Sequence, residues 1–317
     1  MRKRSALALI SAIVLVVSAG AFYFLSRTPN EPSPSAPIRG ITLDSIEHFD
    51  TTLSLLRTST KKLTVRLVLD AENDLEHYKN AVEQLAPYAS IMVQIADSEE
   101  MPTSNVADIQ HRTQTALETF GDKVSLWEIG NELNGSWAGT SPLQINEKAV
   151  AAYRIIHDAG KPTALTLNYW STPDCYEYDW ESTISYAEHL PAELKHTDYV
   201  FLSVYETACN PPQHPSAQQL ADMLHSLASI FPHALLGIGE IGIQNSSDGI
   251  NTQNTLVAKQ NVASHYYGMH NELKHRVGPR FCGGYFWWYF YEDAVLPESQ
   301  HRRESLWPTL QKLTSEL

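Results

Sequence analysis

The stretch Val124-Ser125-Leu126-Trp127-Glu128-Ile129-Gly130-Asn131-Glu132-Leu133-Asn134-Gly135 holds the pattern that organises this chain. An apolar, β-prone run stops abruptly at Gly-Asn-Glu and passes into a glycine-containing loop. Shortly after, Ser141-Pro142 supplies a helix cap followed by a first-turn proline. The helical pattern 141–159 then leads to another apolar run, Thr163–Leu167. Strand, loop, helix and strand in that order form the unit of a parallel sheet, because a crossover helix returns the chain to the starting end.

The same unit extends in both directions. Apolar runs recur at Ile38–Leu43, Leu63–Leu69, Ser90–Ala96, Val124–Ile129, Thr163–Leu167, Tyr199–Val204, Leu235–Gly239 and Phe281–Phe290. Helical patterns fill 45–58, 74–86, 104–120, 141–159, 182–194, 216–230 and 252–275, and 303–316 closes the chain; Asn73-Asp74-Leu75-Glu76 marks a second helix start. Eight alternations are the number that closes a (β/α)8 TIM barrel, with an open doubly wound sheet as the structural rival. Residues 38–317 read as one domain, since no repeat or second linker interrupts them.

The first 25 residues differ from the rest. Met1-Arg2-Lys3-Arg4 is basic, and Ser5–Leu25 is an uncharged apolar run, long enough at about 20 residues to span a bilayer. Its basic flank fits either an uncleaved membrane anchor or a signal peptide cut near Ala19-Gly20-Ala21. Both export the remainder, to the periplasm or beyond the cell. Residues 26–37, with Pro29, Pro32, Pro34 and Pro37, read as a stiff tether.

The 317 residues are 43% hydrophobic and carry 23 Lys+Arg against 36 Asp+Glu, a formal net charge of −13. That balance, with no basic cluster beyond residue 30, excludes a nucleic-acid partner and disfavours an anionic polymer. No metal-ligand spacing stands out among the 13 histidines, and no phosphate-binding glycine motif or nucleophile elbow is present. No cofactor is therefore expected. Cys175 and Cys209 fall in loops after strands five and six, neighbours on one rim, where an oxidising compartment makes a disulfide plausible. Cys282, opening the last strand, reads as a buried free thiol.

Barrel chemistry gathers at the C-terminal strand ends. Asn-Glu also occurs at Asn30-Glu31, Asn146-Glu147 and Asn271-Glu272, but only Asn131-Glu132 ends a strand. Glu240, in Leu235-Leu236-Gly237-Ile238-Gly239-Glu240-Ile241-Gly242, is a charge among apolar residues and glycines, costly to bury unless paired or used. Strands four and seven face one another across the barrel, so both carboxylates can enter one hollow. Paired carboxylates are the minimal machinery for cleaving a glycosidic bond.

Trp127-Glu128-Ile129-Gly130-Asn131-Glu132, with Glu240 on strand seven, resembles the large clan of retaining glycoside hydrolases on (β/α)8 barrels. The resemblance implies hydrolysis of a β-linked oligo- or polysaccharide by double displacement, with Glu132 as acid/base, Glu240 as nucleophile and Asn131 on the 2-hydroxyl of the cleaved sugar. It also implies that Arg66 keeps the nucleophile ionised, that Tyr205 hydrogen-bonds it, and that a strand-eight tryptophan lies beneath the sugar. Trp288 and Trp287 are both candidate sugar contacts, and since alternation lets only one point inward, Trp288 is preferred. Asn168, Tyr169 and Trp170 end strand five, where sugar contacts or helix-layer packing are equally open. Trp137, with Tyr176, Tyr178 and Trp180, stands on rim loops that could form further sugar subsites. A neutral glycan suits the overall charge best. A transglycosylase, and a non-catalytic glycan-binding barrel, are the alternatives.

Overall fold

A computed structural model describes residues 34, 36–70, 73–243, 255–300 and 304–317. The strands are β1 (Ile38–Leu43), β2 (Leu63–Val68), β3 (Ala89–Gln94), β4 (Leu126–Gly130), β5 (Thr163–Asn168), β6 (Tyr199–Val204), β7 (Leu235–Ile241) and β8 (Phe281–Trp287). All pair in parallel, each with its sequence neighbours, and β8 returns to β1 to close the barrel. The apolar run Ser5–Leu25 lies outside the described residues, as does most of the tether. Among the described residues no helix is long and apolar enough to cross a membrane.

Alternation across the sheet divides the strand side chains between two cores. The outward-facing residues, among them Val65, Leu67, Trp127, Ile129, Val200, Leu202 and Ile238, pack under the helices. The inward-facing ones begin with an apolar floor of Ile38, Met92, Leu126, Ala164, Tyr199, Phe201, Cys282 and Phe286. Toward the C-terminal strand ends the interior turns polar, with Arg66, Gln94, Glu128, Thr166 and Ser203 all buried. Buried polar groups need partners, so the upper barrel is held together by hydrogen bonds.

Several expected boundaries move for identifiable reasons. The expected strand Phe281–Phe290 stops at Trp287, where Phe290 N–H turns back to the Trp288 carbonyl at 2.9 Å and Tyr291–Val295 winds into a π-helical turn. An aromatic run favours a strand by composition, and tertiary contact overrides it here. The single helix expected over 252–275 is two, Leu256–Gly268 and His270–Val277, broken at Met269; its start falls partly outside the described residues. Pro191 ends the helix Thr183–His189, and a 3₁₀ turn, Ala192–His196, follows in place of the expected continuation.

The β7–β8 seam depends on glycine. At Gly284, φ is +114° and a Cβ would stand 1.9 Å from the Ile238 carbonyl oxygen. No other residue fits that approach.

Candidate active site

Strand ends β2, β4, β6 and β7 deliver the site. Arg66, 1% exposed, lies at its centre. Its Nε and Nη2 donate to the two carboxylate oxygens of Glu128 at 2.7 and 2.9 Å, while Nη1 donates to Glu240 Oε2 at 2.6 Å. Nη2 also donates to Asn131 Oδ1 at 2.8 Å. That bond fixes the amide and leaves its nitrogen as the edge able to donate elsewhere. Thr166 Oγ1 donates to Glu128 as well. Burial alone would depress the Arg66 guanidinium, but the charges of Glu128 and Glu240 reverse this and hold it above its ordinary value.

Glu132 occupies a different environment. Its φ is +49°, a left-handed conformation that costs a non-glycine residue on the order of 1 kcal/mol or more. The loop holds it there: Gly135 N–H donates to the Glu132 carbonyl at 2.8 Å, and Leu133 N–H to Thr166 O at 3.3 Å. The carboxyl accepts from Ser203 Oγ, from Trp137 Nε1 at 3.0 Å and from Ser98 Oγ at 3.5 Å. Tyr205, two residues beyond Ser203, donates its hydroxyl to Glu240 Oε1 at 2.7 Å. Neighbouring positions on one strand end thus hold the two glutamates, which places both in one hollow.

Their surroundings separate them chemically. Burial raises Glu132 to about 8, and the charges of Glu240 and Asp97 reinforce the rise against the Ser203 hydrogen bond. Burial pushes Glu240 upward too, but Arg66 opposes it by charge and hydrogen bond and Tyr205 by hydrogen bond. The pair therefore favours a proton on Glu132 and a negative charge on Glu240.

The remaining expected residues divide. The Trp288 ring covers the Arg66 guanidinium at 5.4 Å, so it borders the hollow. Trp287 does not: it is fully buried, packs in the outer core and donates Nε1 to Asp293 Oδ2 at 2.9 Å. Side-chain alternation corrects its place among the sugar contacts. Trp137 is 37% exposed and meets Trp170 edge-on at 6.2 Å, which joins Trp170 to the Glu132 side of the rim. Asn168 is buried with Nδ2 unpartnered. A disulfide joins Cys175 to Cys209 beneath Trp170, and Cys282 is a buried free thiol. Tyr178 stacks on Trp180 at 6.0 Å and is exposed.

Other residues carry no function in the sequence reading. Glu128 anchors Arg66, Ser203 and Ser98 bind Glu132, and Asp97 adds charge beside both glutamates. Only Glu128 leaves a trace in sequence, as an acid two residues from the strand end on the inward face. Glu206 and His214, eight residues apart, also come together with the distant His265, each offering a ligand atom within 4.8 Å of the others. The two imidazoles stack face to face with centroids 3.9 Å apart, and Glu206 accepts from His214 Nδ1 at 2.6 Å and Tyr266 Oη at 3.1 Å. Ring nitrogens in stacked planes do not converge on one point as metal ligands do, so the cluster reads as hydrogen-bonded support for the β6 loop.

No family model matches the sequence, and no curated protein does. Solved structures do match. A Cellvibrio japonicus xylanase aligns with a TM-score of 0.56 at 13% identity, over 89% of this chain and 98% of that one. A Thermotoga maritima β-glucosidase aligns at 0.58 and 10% identity, over 82% and 89%. A broad-specificity endoglucanase from an uncultured bacterium aligns at 0.57 and 12% identity, over 92% and 99%. These neighbours are glycoside hydrolases on (β/α)8 barrels. This chain shares their fold. At such identities the likeness speaks to architecture, and chemistry must be argued from the site.

Proposed function

We propose that this protein is a retaining β-glycoside hydrolase acting on an oligo- or polysaccharide. The observation that carries the reading is the unequal treatment of two facing glutamates: Arg66 and Tyr205 bind Glu240, whereas Glu132 lies buried against hydroxyl and indole donors. Ionised Glu240 attacks the anomeric carbon while Glu132 gives its proton to the departing glycosidic oxygen. Water then enters, Glu132 takes a proton from it, and the glycosyl–Glu240 ester is cleaved with net retention. Asn131, oriented by Arg66, is assigned to the 2-hydroxyl, and Trp288 supplies an indole face for the cleaved sugar. Trp137 and Trp170 flank Glu132 and suit the leaving-group side. The named activities of the structural neighbours fit a glycan substrate.

Export belongs to the same proposal. The basic start and apolar run of residues 1–25, together with the Cys175–Cys209 disulfide, support a place outside the cytoplasm.

Incubation with a panel of 2-fluoro β-glycosyl fluorides, followed by intact-mass and peptide mass spectrometry, tests the mechanism. A covalent adduct on Glu240, absent from Glu240→Gln, is expected. Retained labelling of Glu240→Gln, or an adduct on another residue, overturns the assignment.

A further inference from the structure

Three carboxyl side chains outside the catalytic pair gather on one wall of the hollow. Asp44 follows β1, Asp97 follows β3 and Glu292 follows β8, and the barrel runs β8, β1, β2, β3 along that side. The charges of Glu292 and Asp97 act on Asp44, and the charge of Glu240 acts on Asp97. Those charges couple the three carboxyls to one another and, through Asp97, to Glu240. All three side chains are partly withdrawn from solvent. No lysine or arginine among the described residues forms an ion pair with any of them: Arg66 is committed to Glu128 and Glu240, Arg112 to Glu100, and Lys259 to Asp293.

A second observation concerns the polar atoms beside them. Gln94, fully buried on the inner face of β3, donates Nε2 to Asp97 Oδ2 at 3.2 Å and leaves its Oε1 without a partner. Asp44 Oδ1 and Glu292 Oε2 are likewise buried and unpartnered, and so is the hydroxyl of fully buried Thr42, two residues before Asp44. Apart from that hydroxyl, which can also accept, the unsatisfied atoms are pure acceptors. Unpaired buried acceptors are costly. Glu99 N–H and Gln94 Nε2 donate to Asp97, and the charges of Arg66 and Lys259 reach Asp97 and Glu292. Both cations are bonded to other carboxylates, however, and the buried atoms of Asp44, Glu292, Gln94 and Thr42 stay without partners.

We propose that this wall receives a protonated amine, which makes the substrate a β-linked glycan whose sugars carry free amino groups. The inference rests on the glycosidase reading and names its substrate class. Sugar hydroxyls could donate to these carboxyls but would bring no charge to offset three like charges at close quarters. An ammonium brings three N–H donors and the charge together. Burial, joined by the repulsion of Glu292, raises Asp44 to about 7, and burial raises Asp97 to about 6; a bound cation would favour the ionised form of each. The net charge of −13 attracts a polycation for the same reason that it repels a polyanion.

Calorimetric titration of full-length Glu132→Gln protein with β-1,4- and β-1,6-linked glucosamine oligosaccharides tests this against the same preparations after chemical N-acetylation. The amine form of at least one linkage should bind about tenfold or more tightly than its acetylated partner. The preference should shrink with added salt and disappear when Asp44→Asn or Glu292→Gln is added. The two substitutions lie on different strand ends, so one that fails to fold leaves the other informative. Equal or weaker binding of the amine form in both linkages, or no binding of any oligosaccharide, overturns the proposal. Covalent trapping of wild-type protein by neutral reagents distinguishes the two readings. An adduct at Glu240 without amine preference leaves the hydrolase standing and removes the amine wall. Amine binding with neither an adduct nor any cleavage of the bound amine oligosaccharides by wild-type protein removes the hydrolase and leaves the amine wall standing.

Discussion

In the mechanism we propose, the division of labour between Glu132 and Glu240 rests on single contacts, and single substitutions should separate the roles. If Glu132 is the acid of the proposed first step, kcat/KM should fall as pH rises through about 8, the value to which burial and the neighbouring charge of Glu240 raise it. Glu132→Gln should abolish that limb. It should also slow substrates with poor leaving groups far more than glycosyl fluorides, which need little protonation. Tyr205→Phe removes a hydrogen bond to an ionised carboxylate. We expect a loss of roughly ten- to a hundredfold in kcat/KM, the equivalent of about 1.5–3 kcal/mol, and an upward move of the acidic limb as Glu240 becomes harder to ionise. An unchanged acidic limb would show that Tyr205 does not tune the nucleophile. Glu132 and Glu240 can be picked out in the sequence as carboxylates at the ends of apolar strands and Arg66 as a charge within one, while the roles of Arg66 and Tyr205 come from the resemblance to the glycoside hydrolase clan. Ser203 and Asp97 cannot be picked out, since a serine in a strand or an aspartate in a loop is ordinary in any protein and only the closed barrel gives it a partner.

Among the elements, legibility followed local patterning. β1 and β6 are short β-prone runs whose bounds are legible to the residue despite Arg39, Thr42 and Ser203 within them, whereas the β8 run reads too long because Trp288–Phe290 have strand-like composition but turn out of the ladder. The break at Met269 leaves no glycine or proline punctuation beyond Gly268, which itself sits in the helix. The β7–β8 seam makes the sharpest demand of any element. Gly284→Ala would place a Cβ 1.9 Å from a backbone carbonyl at a φ of +114°, so neither side-chain rotation nor a local shift relieves it. We expect a loss of more than about 4 kcal/mol in urea unfolding, or failure to accumulate as soluble protein. Gly268→Ala is the control: nothing lies within 4 Å of the added carbon, and the helix should gain up to about 1 kcal/mol. Similar small effects at both positions would mean that β7 and β8 are more loosely paired than their register indicates.

For the molecule as a whole, a set of buried acids makes stability depend on pH in a direction opposite to that of most salt-bridged proteins. Glu132 is raised to about 8, Asp44 to about 7 and Asp97 to about 6, each by burial first, while unfolded carboxyls ionise near about 4. A group whose pKa is higher in the folded state contributes stability that is complete below the unfolded value and is lost as pH rises through the folded value. Buried His270 acts in the other direction. Its imidazole is lowered to about 4 by burial, with Lys274 and Arg39 adding to the effect, so its contribution is lost as pH falls below its unfolded value of about 6.5. The two effects oppose one another between about pH 4 and 6.5, and only the acids act above that. Three acids outweigh one histidine, so the melting temperature should decline from about pH 4.5 upward, with His270 offsetting part of the slope to about pH 6.5, and go on declining to about pH 8. Glu132→Gln and Asp44→Asn should each flatten the decline by removing one ionisation. A polyamine glycan should flatten it in the wild type if the acidic wall binds ammonium, because the bound cation favours the charged carboxylates in the folded state alone. A melting temperature that rises from pH 6.5 to 8 would mean that the carboxyls are ionised in the folded protein at no cost, and the assignment of the resting proton to Glu132 would fall with it.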